Sequence, residues 1–228
     1  MEDLLPLEVL YEDNHLIAVN KPVGLLIQGD ASGEPTLLDA VRHYLKSKYF
    51  KPGKVYLGLI HRLDRPVGGV VVLARTSKGA ARLSEQFRTH TVEKTYHALV
   101  EGEPDAPAGR VEHYLQESGV GQPVQVHADP APDRKKAVLE YEVLRAGKSF
   151  SLLRIRLETG RKHQIRAQMA ALGHPLAGDR KYGATLGFNR DGIGLIASSL
   201  EFDHATKPEE RIRVELPRPA EQEWAAWL

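Results

Sequence analysis

Between residues 137 and 157 apolar and polar side chains alternate through two runs joined by a short turn. Ala137, Leu139, Tyr141 and Val143 take every second position, Ala146-Gly147-Lys148 supplies the turn, and Leu153, Ile155 and Leu157 alternate again. A period of two places the apolar set on one face of a β-strand, and two such runs across a tight turn pair as an antiparallel hairpin. A lone hairpin is marginal in water, so this one must be completed by further strands or by helices.

The rest of the chain supplies both. Residues 8–20 read as two short strands about Asp13-Asn14, Val70–Leu73 as a fully apolar strand, and Lys94–Val100 as another. Thr36–Tyr49 reads as a helix with Leu37, Val41 and Leu45 four residues apart, opened by a capping box of Thr36 and Asp39. A second helix is expected after Ser77 as N-cap, with Ala80, Leu83 and Phe87 on one face, and a third over Lys162–Leu172 with Gly173 as its stop. Strands follow near Leu195–Phe202 and at Ile212, Val214 and Leu216, then a C-terminal helix from Pro219 carrying Trp224 and Trp227. Residues 102–133, with nine Gly or Pro among 32, read as an irregular insertion (about 102–136) ending in Arg134-Lys135-Lys136. Strands outnumber helices and are often joined as hairpins, which predicts an α+β fold with a mainly antiparallel, mixed β-sheet core flanked by helices. No linker divides the sequence, so residues 1–228 are expected to form a single domain.

The 228 residues contain no cysteine, which excludes disulfides, thiolate nucleophiles and Cys-ligated metal sites. The apolar runs are too short to span a bilayer and Met1-Glu2-Asp3 does not begin a signal peptide, so the expectation is a cytoplasmic protein with no membrane partner, acting as a monomer. The net charge of +1 conceals segregation: residues 51–100 and 151–190 each carry +6, and the remainder is acidic. If the two basic blocks meet in space they form one basic surface of the kind a nucleic acid requires; ordinary charge mixing on a solvated surface is the other reading.

Those blocks hold the segments richest in chemistry. In His61-Arg62-Leu63-Asp64-Arg65-Pro66, an extended backbone would turn Arg62 and Asp64 to one face and Leu63 inward. A carboxylate between two guanidiniums is expected to stay ionised, which suits a nucleophile or electrostatic stabiliser rather than a general acid; a surface ion-pair cluster is the other reading. Arg161, Lys162 and Arg166 fall where a helix starts behind Thr159-Gly160, a position suited to phosphate contacts or, equally, to a solvated helix face. The ten histidines show no metal-ligand spacing, and no phosphate-binding loop, dinucleotide fingerprint or nucleophile elbow is present, so no metal site is expected.

Together these segments resemble the RluA family of RNA pseudouridine synthases. HRLDRPVGG at 61–69 is similar to the family's nucleophile motif, NKPVG at 20–24 to its Asn-Lys-Pro-x-Gly segment, and KTYHALVEG at 94–102 to its Lys-x-Tyr strand. Thr159–Arg166 and Gly173–Gly183 match two further segments, and order and spacing agree over about residues 8–216. The resemblance is to the short form without the N-terminal accessory RNA-binding domain. It implies the pseudouridine synthase fold and a cofactor-free isomerisation of specific uridines in structured RNA, tRNA or rRNA, after base flipping. By the same resemblance Asp64 is the nucleophile, Tyr96 stacks on the uracil, Arg166 pairs with the Asp, and Arg62 fills the gap left by the flipped base. Arg65, Arg161, Lys162, Lys21, Arg134, Lys135 and Lys136 complete the expected RNA-binding set. Val67-Gly68 departs from the family's Thr-Ser, and Leu195-Ile196-Ala197 from its Leu-His-Ala. A catalytically idle RNA-binding protein on the same fold therefore stays open, as does a cofactor-free carboxylate hydrolase of nucleosides, which would need a second, raised-pKa carboxylate.

Overall fold

The computed structural model describes residues 7–30, 33–50, 52–119, 121–188, 192–217 and 224. The chain divides into two compact units, Met1–Val92 with Ser199–Pro217 and Glu93–Ser198 with Arg218–Leu228.

The first unit opens with β1 (Glu8–Glu12) and β2 (Leu16–Lys21), antiparallel about the expected turn, where the Asp13 carboxylate accepts from the His15 and Leu16 amides. Helix α1 (Leu37–Lys48) begins with both halves of the predicted capping box, so two amides that the helix leaves unpaired are satisfied by Thr36 and Asp39. The two-residue β3 (Gly58–Leu59) and β2 both pair antiparallel with β4 (Gly68–Ala74). β4 is buried at every position, which explains its continuous apolar run. Helix α2 (Ser77–Arg88) is capped by Thr76, not Ser77, because the Thr76 Oγ1 accepts from the Gly79 amide. Strands β10 (Leu195–Asp203) and β11 (Arg211–Glu215) form an antiparallel hairpin that sends Leu200, Phe202, Ile212 and Val214 into a core with Leu16, Val70, Val72 and Leu83.

In the second unit β5 (Glu93–Glu101), β9 (Phe150–Leu157), β8 (Lys135–Arg145), β6 (Ala108–Gln116) and β7 (Gln125–His127) are neighbours in that order, each pair antiparallel. β8 and β9 are the alternating hairpin. The expected irregular insertion is corrected here: β6 and β7 occupy much of it, and Lys135 and Lys136 already belong to β8. Its Gly and Pro residues mark the ends of strands, while β6 itself turns only Val111 and Leu115 into buried positions, too few apolar residues to show a period. Helix α3 (Gln164–Ala171) is shorter than predicted, since His163 precedes it in the left-handed conformation with φ 53°. The sequence-predicted C-terminal helix lies outside the described residues except for Trp224, which is buried edge-on against Phe188. Among the described residues three α-helices accompany strands paired almost wholly antiparallel, so the fold is α+β as predicted.

Candidate functional site

In the first unit the segment leading into β4 is fixed from several sides. The His61 Nε2 accepts from the Val72 amide at 3.1 Å and the ring stacks on Phe87 at 4.8 Å, so this histidine ties the segment to β4 and α2. Leu63 is buried, Arg62 exposed and Asp64 half-buried, as an extended backbone requires. The Val67 amide closes a turn on the Asp64 carbonyl at 3.0 Å.

The next residue bolts this turn to the 20–24 segment. The Arg65 carbonyl accepts from the Gly24 amide (2.9 Å) and from the Lys21 Nζ (3.2 Å), while the Arg65 Nε donates to the Gly24 carbonyl at 3.0 Å. Arg65 also reaches Glu34 at 2.8 Å. Gly24 sits at φ 83°, where a side chain would be strained.

Lys21 is corrected from the RNA-binding set. It is fully buried, its Nζ donates to the Pro22 and Arg65 carbonyls, and its charge interacts with that of Asp64. Burial pushes its ammonium down to about 8, against the pull of Asp64 and with a small further push from Arg65. The buried ammonium, bonded to the Arg65 carbonyl, braces the Asp64–Val67 turn from inside the fold.

The Val67-Gly68 departure also has a packing reason. Val67 is 2 % exposed, and a Cβ on Gly68 would lie 3.1 Å from Val23 Cγ2 and 3.2 Å from the Lys21 carbonyl. Glycine here lets the 21–23 segment close on β4.

In the second unit Tyr96 lies on β5 opposite Ile155 and is 9 % exposed. Arg166, on α3, is buried and forms a bidentate pair with Asp179, Nε to Oδ2 at 2.7 Å and Nη2 to Oδ1 at 2.9 Å, with Asp179 1 % exposed. The Tyr182 ring stands 5.1 Å from the Arg166 guanidinium carbon, and its hydroxyl accepts from the Val124 amide (2.9 Å) and contacts the His163 Nδ1 (2.7 Å). Arg166 is therefore an oriented, buried cation rather than part of a solvated helix face. Asp179, which sequence reasoning did not single out, is what orients it; its place in Gly178-Asp179-Arg180 was the available signal.

Gln164 organises the approach to α3. Its Oε1 accepts from the Thr159 hydroxyl and the Arg161 amide, and its Nε2 donates to the Val138 carbonyl. The Arg161 Nε donates to the Lys136 carbonyl at 2.9 Å, Lys162 pairs with Glu117 at 3.3 Å, Lys136 pairs with Glu112 at 2.8 Å, and Arg134 donates to the Asp129 carbonyl. Lys135 is exposed. The structure thus brings Arg161 together with the Arg134–Lys136 segment, and Lys21 with Arg65 and Asp64. Among the described residues no cluster of His, Asp or Glu could hold a metal ion, and no helix is long and apolar enough to cross a membrane.

Residues 15–171 match the family model described as RNA pseudouridylate synthase. The ribosomal large subunit pseudouridine synthase D of Zymomonas mobilis is 37% identical over 182 residues, covering 78% of this chain and 56% of that protein. The ribosomal large subunit pseudouridine synthase C of Vibrio cholerae is 31% identical over 223 residues, covering 95% and 67%. The chain thus spans about half the length of the first of these relatives. Among solved structures, human RNA pseudouridylate synthase domain containing 4 superposes with a TM-score of 0.78 at 25% identity, covering 93% of this chain and 88% of that one.

Proposed function

The chain belongs to the RNA pseudouridylate synthase family, and from that premise we propose that it isomerises uridine to pseudouridine in structured RNA, with Asp64 as nucleophile. The observation that carries this reading is the Asp64 turn, held through Arg65 by Gly24 and by the buried Lys21 ammonium. A fixed, half-buried carboxylate with a cation beside it fits nucleophilic attack on a sugar carbon.

In this reading the target nucleotide leaves its stack, at a cost of a few kcal/mol. An Asp64 oxygen attacks C1′ and the C1′–N1 bond breaks, its electron pair leaving with the uracil. The base rotates, C5 bonds to C1′ and the ester to Asp64 breaks. The C5 proton is then lost and N1 gains one, so the reaction consumes no cofactor. Tyr96 supplies the aromatic face for the uracil, Arg166 the oriented cation, and the exposed Arg62 fills the vacated stack. Arg65, Arg161, Lys162 and Arg134–Lys136 contribute phosphate contacts. The names of the relatives make large-subunit ribosomal RNA the first substrate to test, with tRNA second; a monomer acting in the cytoplasm completes the reading.

The test is carbodiimide mapping of pseudouridine in large-subunit rRNA and bulk tRNA incubated with wild type or Asp64→Asn. New adduct stops are expected with wild type and none with the variant. RNA binding without turnover by wild type would refute the enzyme reading.

A further inference from the structure

Lys94 has no task in the chemistry above, and a single long hydrogen bond is all that its surroundings offer its ammonium. It lies on β5 two residues before Tyr96, hence on the same strand face, and is 8 % exposed. Its Nζ donates to the Thr159 carbonyl at a long 3.4 Å. Neither Lys94 nor Arg161 has a carboxylate partner among the described residues; the charge that acts on Lys94 is that of Arg161, another cation. A buried ammonium is costly unless paired, and beside a like charge more so. Burial and Arg161 together depress it to about 8. Two cations held together without an anion weaken the fold unless a ligand supplies the missing charge.

The approach to them is open. Gly160 is exposed, and a methyl group built on it would sit 3.6 Å from the Lys94 Nζ, so the missing side chain leaves the ammonium reachable over the turn. Arg161 is braced by its Nε on the Lys136 carbonyl and its amide on the Gln164 Oε1, so its guanidinium is positioned in advance.

We propose that Lys94 and Arg161, converging at the exposed Gly160 turn, form a binding site for a backbone phosphate of the RNA substrate. The site rests on the RNA-modifying reading for the identity of its ligand. It deepens that reading by fixing a phosphate two residues along the strand from Tyr96.

The experiment uses the full chain, wild type, Lys94→Met and Gly160→Ala, with rRNA as probe and inorganic phosphate as a second, independent one. Lys94→Met is expected to melt higher, since it removes a buried unpaired charge. It is also expected to bind rRNA about tenfold more weakly, with the slope of log affinity against log salt shallower by about one. Gly160→Ala, whose new methyl makes ordinary contacts, is expected to keep the wild-type melting temperature and lose affinity. In a 15N titration the Lys94 Nζ is expected to titrate at higher pH when inorganic phosphate is added. Unchanged affinity and slope in Lys94→Met, or a lowered melting temperature with affinity intact, overturns the site and makes Lys94 a brace for the Thr159 turn. A titration that phosphate does not move does the same. If wild type modifies no RNA, the functional reading fails separately, and the phosphate titration still decides whether the anion site exists.

Discussion

Replacing Asp179 by Asn removes one negative charge from a buried ion pair and leaves its shape almost unchanged. The Asp179 backbone would keep its bonds, its amide to the Leu176 carbonyl and its carbonyl to the Tyr182 and Ala184 amides. What is lost is the negative charge that Arg166 meets through two charge-assisted bonds of 2.7 and 2.9 Å, the Arg166 side chain being 7% exposed and that of Asp179 1%. Neutralising one member of such a buried pair costs about 3–5 kcal/mol, a large share of the roughly 5–15 kcal/mol that hold a domain folded. Urea unfolding followed by fluorescence measures the loss directly. The double variant Arg166→Met, Asp179→Leu removes both charges together and is expected to cost less than the sum of the two single changes, by about 2–3 kcal/mol of coupling. A loss below about 1 kcal/mol for Asp179→Asn, or additive single and double costs, would refute the description of Arg166 as a buried cation dependent on Asp179. Turnover of RNA by Asp179→Asn is expected to fall through kcat more than KM.

Lys21 and Lys94, both depressed to about 8 in the folded chain, make stability pH-dependent. Between pH 8 and 9.5 the unfolded chain holds protons that the folded one has released, so the urea midpoint is expected to rise with pH there and to be flat just below it. The two lysines contribute about 2–3 kcal/mol each at the limit, and Lys21→Met is expected to shrink the rise. Above pH 10 the trend reverses, because burial and Asp13 push the Tyr11 hydroxyl up and hold it protonated; a midpoint that falls from pH 8 contradicts the assignment. Gly68→Ser forces Val23 and the Lys21 carbonyl to give by a few tenths of an ångström. A destabilisation of about 1 kcal/mol is expected from calorimetry, and a stabilised variant would show the 21–23 segment to be more yielding than the contacts indicate. Thr36→Ala removes the hydroxyl that accepts from the Asp39 amide and donates to its carboxylate, leaving only the residue-36 amide on Asp39, and is expected to cost about 1 kcal/mol in the same assay.

Local pattern carried most of the fold. The β8–β9 alternation, the apolar β4 run and the Thr36–Asp39 cap were legible because each depends on neighbours within a few residues. The 102–136 stretch was misread because β6 shows few apolar side chains between its Gly- and Pro-rich ends, and its pairing with β8 is a non-local fact. Of the residues proposed for the chemistry, Asp64, Tyr96 and Arg166 stood out through motifs. The burial of Lys21 and Lys94 did not, since charge counting treats every lysine as solvated. Asp179 was missed for a related reason: its partner lies 13 residues earlier, on a helix whose orientation no sequence period records.

The division of the chain bears on how it comes into being. The first 92 residues lack Leu200, Phe202, Ile212 and Val214, which lie more than 100 residues downstream and complete their core. A growing chain that has reached residue 198 therefore carries an unfinished first unit with an uncovered apolar face, while the strands β5 to β9 are already present in full. Residues 7–92 are made before the strands that complete their core, so nascent chains halted between residues 92 and 198 are where a chaperone would be needed most.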